Sequence, residues 1–575
     1  MTRIFDDPAS FADDALHGFV AANGRYVAWV DGGVVRSTET TAGSVALVIG
    51  GGSGHYPAFA GLVGPGLAAG SACGNIFASP AAGQIYRVAK AADAGGGVLF
   101  SYGNYAGDVL HFGQAQVRLN SEGIETRTVL VTDDIASAPP DQTEKRRGIA
   151  GDLAVFKVAG AAAEAGLSLD EVERLAVKAN DRTRSLGVAF AGCTLPGAEG
   201  PLFEVPAGLM SLGLGIHGEP GISEQPIPSA SELAELLVSG LLAERPPGAD
   251  RRVVPILNGL GTVKYEELFL LYGKIARRLT DAGLEIVEAE CGELVTSLDM
   301  SGLSLTLFWP DAELESHWTA PADTPAYRRG AVAPRARRDV EHLSQELEQD
   351  EQGTEESVRL GRLAAAALAQ VRDTVVEHEK ELGRLDAIAG DGDHGIGMRR
   401  GADAAAAAAS DAAGSGVRTV LGRAGEAWSE KAGGTSGALW GTALIAFGAA
   451  LGNRARYTET DAGRAVTAFV DAVTELGRAE PGDKTMVDAL LPFAASFTSR
   501  VQSGAPLPAA LAEAAATATA AAAQTAALRP LKGRARPLAE KSLGHPDPGA
   551  VSFALIATAV AEQFPSLAAG KADPS

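Results

Sequence analysis

Over the first 330 residues short β-branched runs alternate with glycine-rich turns and helical stretches, and from Val358 onward that alternation stops. Residues 45–49, 98–101, 128–132 and 253–257 read as strands, and their recurrence between helical stretches predicts an α/β domain. The string Leu303-Ser304-Leu305-Thr306-Leu307-Phe308-Trp309 alternates apolar and polar residues and predicts a half-buried strand. Past Val358, Ala, Leu, Glu and Arg dominate, which predicts a second domain that is all helical. Between the two patterns the sequence turns Arg- and Pro-containing, then Glu-, Gln- and Asp-rich, and reads as a linker with room for a short helix over 340–347. The expected division is an α/β domain over 1–330, a linker over 331–356 and an all-α domain over 357–575.

A chain of 575 residues is long enough for at least two domains with their own cores. Its formal net charge of −22 disfavours a nucleic-acid partner, which needs a continuous basic surface. Arg146-Arg147, Arg251-Arg252 and the run 335–338 are short, contain or adjoin acids, and read as solvated surface. Three widely separated cysteines, Cys73, Cys193 and Cys291, argue against a disulfide framework or a zinc site and fit a reducing cytoplasm. Residues 1–10 lack the pattern of a secretory signal, and the Ala-rich stretch 508–528 carries Glu513, threonines and Gln524, too polar for a bilayer. The expectation is a cytoplasmic enzyme or binding protein with neither nucleic acid nor membrane as partner.

In the C-terminal part, Leu385-Asp386-Ala387-Ile388-Ala389-Gly390-Asp391-Gly392-Asp393-His394-Gly395 sets three carboxylates beside three glycines. A continuous helix would put Asp386 and Asp393 on one face and Asp391 away from both, so convergence requires a loop. By composition alone the string is equally an Asp/Gly surface turn or an oxygen-donor site for a hard cation such as Mg²⁺. Gly433-Gly434-Thr435-Ser436-Gly437 precedes an apolar helix, where backbone amides either cradle a phosphate or simply begin the helix. Gly482-Asp483-Lys484-Thr485-Met486 and Gly544-His545-Pro546-Asp547-Pro548-Gly549-Ala550 are turns leading into further helices. Neither a Walker A motif nor a protein-kinase signature occurs.

In the N-terminal part, a strand runs into Gly50-Gly51-Gly52-Ser53-Gly54-His55-Tyr56-Pro57, where Pro57 stands in place of the third glycine of a dinucleotide fingerprint, so a small polar ligand fits better. Gly103-Asn104-Tyr105-Ala106-Gly107-Asp108 and Gly215-Ile216-His217-Gly218-Glu219-Pro220-Gly221 are further glycine-rich turns carrying polar groups.

Taken in order, the C-terminal segments resemble the nucleotide-binding L domain of the dihydroxyacetone kinases. The N-terminal ones, with Arg147-Gly148-Ile149-Ala150-Gly151-Asp152 and Ser297-Leu298-Asp299-Met300-Ser301-Gly302, resemble the family's K domain. The resemblance covers nearly the whole chain. It implies a helical barrel in the second domain, with Asp386, Asp391 and Asp393 holding two Mg²⁺ ions. ATP would lie against Asp393, His394, Gly395, Ser436, Gly437, Thr485 and the turn Asp547-Pro548-Gly549. In the first domain the resemblance implies a ketose bound as a hemiaminal on His217. Asp108 and His55 would be the acid/base pair, and Ser53, Gly54 and Gly103 would contact the sugar.

The implied activity is ATP-dependent phosphorylation of a primary hydroxyl of a short ketose, by a homodimer with domains exchanged between chains. Departures occur in the sugar loops: Tyr56 stands where the family usually has glutamate and Gly103 where it usually has lysine. Arg536-Pro537 and Asn258-Gly259-Leu260-Gly261-Thr262 also differ from the usual strings. These changes set a tetrulose such as D- or L-erythrulose beside dihydroxyacetone as substrate. Three alternatives stand: an FAD-AMP lyase releasing cyclic FMN, a non-catalytic ketose sensor, and a kinase fed by a phosphoprotein, which fusion of the two domains disfavours.

Overall fold

The computed structural model describes residues 2–219, 221–338, 353–390, 392–532 and 539–568. It divides into two compact units, Met1–Glu346 and Leu347–Ser575. The expected linker falls partly outside the described residues, the stretch 340–347 included. At its described ends, Arg337 bridges to Thr38 in the first unit, and Thr354 caps the first helix of the second.

The apolar runs at residues 46–49 and 98–101 are buried on both sides, as central parallel strands between helices must be. One sheet has six strands in the order Val27–Val30, Gly33–Arg36, Gly70–Ile76, Ala46–Ser53, Val98–Gly103, Thr126–Val131, the last four mutually parallel. Ala46 and Val48 pack under helices Ala82–Ala92 and Ala106–Ser121, while Leu47 and Ile49 face helices Asp152–Glu164 and Leu169–Asp181.

The second sheet has seven strands, in the order Glu285–Ile286, Arg252–Gly259, Ser301–Phe308, Thr183–Ala191, Leu209–Leu212, Ser223–Pro226, with Glu290–Gly292 also paired to Arg252–Gly259. Helices Ala230–Ala243 and Tyr265–Asp281 cover one of its faces. Ser301–Phe308 departs from expectation: it is buried throughout except at Ser301. Its polar residues are paired inside the protein, Thr306 with Ser185 at 2.6 Å and Ser304 with Asn258 at 3.2 Å, so the alternation reflects hydroxyl pairing and not a solvated face.

Among its described residues the regular elements of the second unit are all helices: Glu355–Asp386, His394–Asp411, Val417–Ala432, Gly434–Leu451, Glu459–Gly477, Val487–Gln502, Leu507–Gln524 with the 3-10 turn Thr525–Ala527, Ala539–Ser542 and Pro548–Ala568. Apart from the short Ala539–Ser542, each helix packs on the one before it, and the last returns to the first, which closes the ring into a barrel. Small residues allow close approach: a Cβ on Gly425 would lie 2.5 Å from the Gly441 carbonyl oxygen, and Trp428 stacks on Trp440 at 5.3 Å. Gly434–Leu451 is long and apolar enough to cross a membrane, but its Ala438, Trp440, Gly441 and Ala443 are buried in the core of this unit.

Candidate functional site

Strands Ala46–Ser53 and Val98–Gly103 lie side by side and parallel, so the loops at their carboxyl ends open onto one edge of the sheet, the usual ligand edge of such sheets. Gly54 has φ +100° and lies against the Phe77 ring, where a Cβ would come within 2.9 Å. Only glycine allows that approach, which leaves the next residue, His55, stacked on Phe77 at 5.0 Å and 2% exposed.

The ring nitrogens of His55 have distinct partners. Nδ1 lies 2.7 Å from the Thr296 carbonyl oxygen, which can only accept, so Nδ1 carries a hydrogen and Nε2 presents a lone pair. Burial, then the charge of His217, pushes the His55 pKa down to about 3, so the ring is neutral. Its Nε2 lies 3.0 Å from Nε2 of His217, which must therefore donate. His217 Nδ1 lies 3.1 Å from Glu219 Oε1, and the His217 amide donates to Glu219 Oε2 at 3.1 Å.

Tyr105 meets the His217 ring edge-on at 4.7 Å, and its own ring lies over Gly103, where a Cβ would come within 3.0 Å of it. Asp108, in the first turn of Ala106–Ser121, is 9% exposed and its Oδ1 is buried with no hydrogen-bond partner. Burial pushes its pKa up to about 6, opposed by Ser79 and by the charge of His217. Ser53 donates to the Gly74 carbonyl at 2.6 Å. The structure thus brings His55, His217, Tyr105 and Gly103 into direct contact, with Asp108 inside their electrostatic reach. Tyr56 goes elsewhere, packing its ring on Phe19 at 5.8 Å.

In the helical unit Asp386 ends the first helix and Asp393 precedes the second, with the expected loop between them. A Cβ on Gly390 would overlap the Asp386 carboxylate. Asp386 Oδ2 accepts the His394 amide at 3.2 Å, while burial and the Asp386 charge push the Asp393 pKa up to about 6. Asp391 lies outside the described residues, and among these no group of three or more His, Cys, Asp or Glu side chains is placed to hold a metal ion.

His394 links two helix starts. Its Nε2 lies 3.0 Å from the Ser552 hydroxyl, near the start of Pro548–Ala568, and its Nδ1 lies 3.4 Å from Ser436 Oγ, in the first turn of Gly434–Leu451. Gly549 packs on Met486, which brings the Thr485 turn beside the Asp547-Pro548-Gly549 turn. Burial pushes Asp547 up to about 7, and its Oδ1 caps the last helix by accepting from Ala550 N–H at 2.8 Å. Two helix N-termini near one histidine make an electropositive setting suited to a polyphosphate.

Gly395 and Lys484 have structural work beside the site. Lys484 has φ +61° and donates to the Leu528 and Ser542 carbonyls at 3.2 and 2.7 Å, so its ammonium anchors the loop. A Cβ on Gly395 would overlap the Glu379 carbonyl oxygen on the neighbouring helix. Gly395→Ala is expected to destabilise the helical unit by about 1–3 kcal/mol in urea unfolding, the usual cost of overpacking.

Residues 17–326, more than half of the chain, match the Dak1 domain, and residues 388–562 match the DAK2 domain. The chain belongs to the dihydroxyacetone kinase family. Within it, the chain is 57% identical to the L-erythrulose kinase of Pectobacterium atrosepticum, over 97% of this chain and 96% of that one. It is 54% identical to the D-erythrulose kinase of Mycolicibacterium smegmatis, with 98% of each chain covered. The crystal structure of the dihydroxyacetone kinase from C. freundii in complex with AMP-PNP and Mg²⁺ aligns over 98% of this chain and 99% of its own, at 28% identity and a TM-score of 0.53.

For this member of the dihydroxyacetone kinase family, sequence reasoning missed Phe77, Thr296 and Glu219 in the first unit and Ser552 in the second. It also misplaced Arg146-Arg147. The Arg146 side chain is fully buried and paired with Glu244 at 2.7 Å, and that of Arg147 is 14% exposed and paired with Asp134. The His217-Gly218-Glu219 spacing, a carboxylate two residues after a histidine, was the signal available for Glu219. The departure at Arg536-Pro537 lies outside the described residues.

Proposed function

We propose that this chain is an ATP-dependent kinase that phosphorylates a primary hydroxyl of a tetrulose, with the sugar held as a hemiaminal on His217. The donor order through the two histidines carries this reading. As His217 Nε2 attacks the ketose carbonyl carbon, its proton is relayed in the same step through the lone pair on His55 Nε2, because burial leaves His55 too weakly basic to hold it alone. The C=O π pair moves to oxygen, which takes the relayed proton and becomes the hemiaminal hydroxyl. His55 ends neutral, as it began.

Asp108 receives the proton of the hydroxyl that attacks the γ-phosphate. A base acts when ionised, so kcat/KM for the ketose is expected to fall as pH drops below about 6, the value to which burial raises Asp108. His217, Ser79, Tyr102 and Asp152 are the polar or titratable neighbours acting on or coupled to Asp108. An acid limb that is the same in Asp108→Asn as in the parent would remove this assignment.

On the nucleotide side, Asp386 and the buried Asp393, whose pKa burial and the Asp386 charge raise, would supply carboxylate oxygens of the kind that hold Mg²⁺, and Asp391 belongs to the same motif. Bound there with ATP, two Mg²⁺ ions would offset phosphate charge. His394, Gly395, Ser436, Gly437, Thr485 and Asp547-Pro548-Gly549 line the nucleotide side of the reading. Two observations support a tetrulose. The relatives at 57% and 54% identity are erythrulose kinases. Gly103 also sets no side chain beside Tyr105, where lysine is usual.

The FAD-AMP lyase reading leaves the His55–His217–Glu219 arrangement without a task, and the sensor reading does the same for the aspartates. ADP release from Mg-ATP, measured with dihydroxyacetone, glyceraldehyde, D-erythrulose and L-erythrulose, tests the proposal. Preference for one erythrulose enantiomer is expected. Silence on all four, with cyclic FMN formed from FAD, would replace the kinase by the lyase.

A further inference from the structure

At the Nδ1 edge of His217, away from His55, the side chains of Glu219, Arg147 and Asp134 form a chain of contacts. Glu219 accepts from both the amide and Nδ1 of His217, at 3.1 Å each. Arg147 Nη1 lies 3.7 Å from Glu219 Oε2. The same guanidinium donates to Asp134 Oδ2 through Nε at 3.0 Å and Nη2 at 2.7 Å, and to the Gly213 carbonyl at 3.3 Å. Asp134 is 2% exposed and also accepts the Ala136 amide at 3.0 Å, so the far end of the chain is fixed to backbone. A Cβ on Gly215 would overlap Glu219 Oε2, so glycine is required for the carboxylate to reach its place.

From this geometry we infer that Glu219, held by Arg147 and Asp134, is the positioning residue that makes Nε2 of His217 the attacking atom and serves as counter-ion to the ring once the hemiaminal has formed. The inference rests on the hemiaminal reading above. Attack through Nε2 leaves an N-substituted ring whose Nδ1 still bears its hydrogen, and such a ring is a cation. A carboxylate on Nδ1 balances that charge, and it prevents the ring from presenting Nδ1 instead. Burial opposes the ionisation of Glu219, but the charge and hydrogen bond of His217, with Arg147, hold its pKa well below the usual carboxylate range. It is therefore charged when the adduct forms.

Glu219→Gln keeps the shape and removes the charge. It is expected to lower kcat/KM for erythrulose by roughly 100-fold or more, as removing the carboxylate behind a catalytic histidine does elsewhere, with KM for ATP unchanged. With erythrulose labelled with ¹³C at the carbonyl, the tetrahedral adduct signal should fade in this variant, and ¹⁵N NMR of the His217 ring should show loss of the fixed Nδ1–H form. A purely structural role for Glu219 would leave both spectra as in the parent.

Should Glu219→Gln fail to fold, Arg147→Lys decides by the same readouts, because it keeps the charge and loses the paired grip on Asp134. Parent-like kcat/KM and adduct signal in the folded variant, with both lost in His217→Ala, would overturn the inference and leave the hemiaminal reading standing. Adduct and turnover surviving in His217→Ala would instead remove the reading on which the inference depends.

Discussion

Alanine at His217 is expected to lower kcat/KM for the ketose by roughly 10³-fold or more, the scale on which enzymes lose rate when covalent capture and its alignment are removed together. The geometry explains why no neighbour substitutes. His55 Nε2 would keep its lone pair but lose the donor 3.0 Å away, and at 2% exposure it is boxed between Phe77 and the Thr296 carbonyl. Tyr105, the other ring against His217, has burial raising its pKa well above the usual phenol value, so it supplies no nucleophile at neutral pH. Nucleotide binding should survive, because the groups assigned to ATP belong to the helical unit. ATP affinity by calorimetry and the carbonyl-carbon NMR signal make the division visible: binding kept, tetrahedral adduct absent. Equal loss of ketose and ATP binding would count against the separation of tasks.

Asparagine at Asp393 is expected to produce the opposite pattern. Adduct formation on His217 should persist while kcat falls by roughly 10³-fold, the effect of removing one preorganised electrostatic element from a charge-building transition state. Asp393 and Asp386 carry like charges at the two ends of one short loop, an arrangement that costs stability unless a cation lies with them. Removing one charge relieves that cost, so the metal-free variant should unfold at the same temperature as the parent or higher, a trade of activity against stability. Thermal unfolding with and without Mg-ATP checks this. The parent should gain more from Mg-ATP than the variant does, and equal gains would detach Asp393 from the metal.

The fold was legible wherever one stretch of sequence holds its own reason. Residues 45–49 are apolar at consecutive positions because helices cover both sides of the strand, and the helical half declares itself through composition alone. Ser301–Phe308 misled because an alternating string is written identically by a half-solvated strand and by a buried one whose hydroxyls are paired, and Ser185 and Asn258 are distant in sequence. Arg146 and Arg147 misled for the same reason: their acids, Glu244 and Asp134, lie outside any local window. The histidines were named from their loops, but the order of protons along them was not, since it depends on Thr296 from a third region of the chain. Gly395 was read for its ligand and turns out to satisfy a neighbouring helix as well.

The group that orients His55 is a main-chain carbonyl, and every amino acid brings one. Point mutation at 296 therefore cannot delete the acceptor, although it can delete the Thr296 hydroxyl, which donates to the Tyr56 carbonyl at 2.7 Å. The His55 ring is thus shielded from mutational drift at the residue that orients it, while the loop carrying Tyr56 stays open to it. A lineage with this fold can vary the side chain at 296, and with it the hold on the Tyr56 carbonyl, without losing the hydrogen bond that fixes the His55 ring.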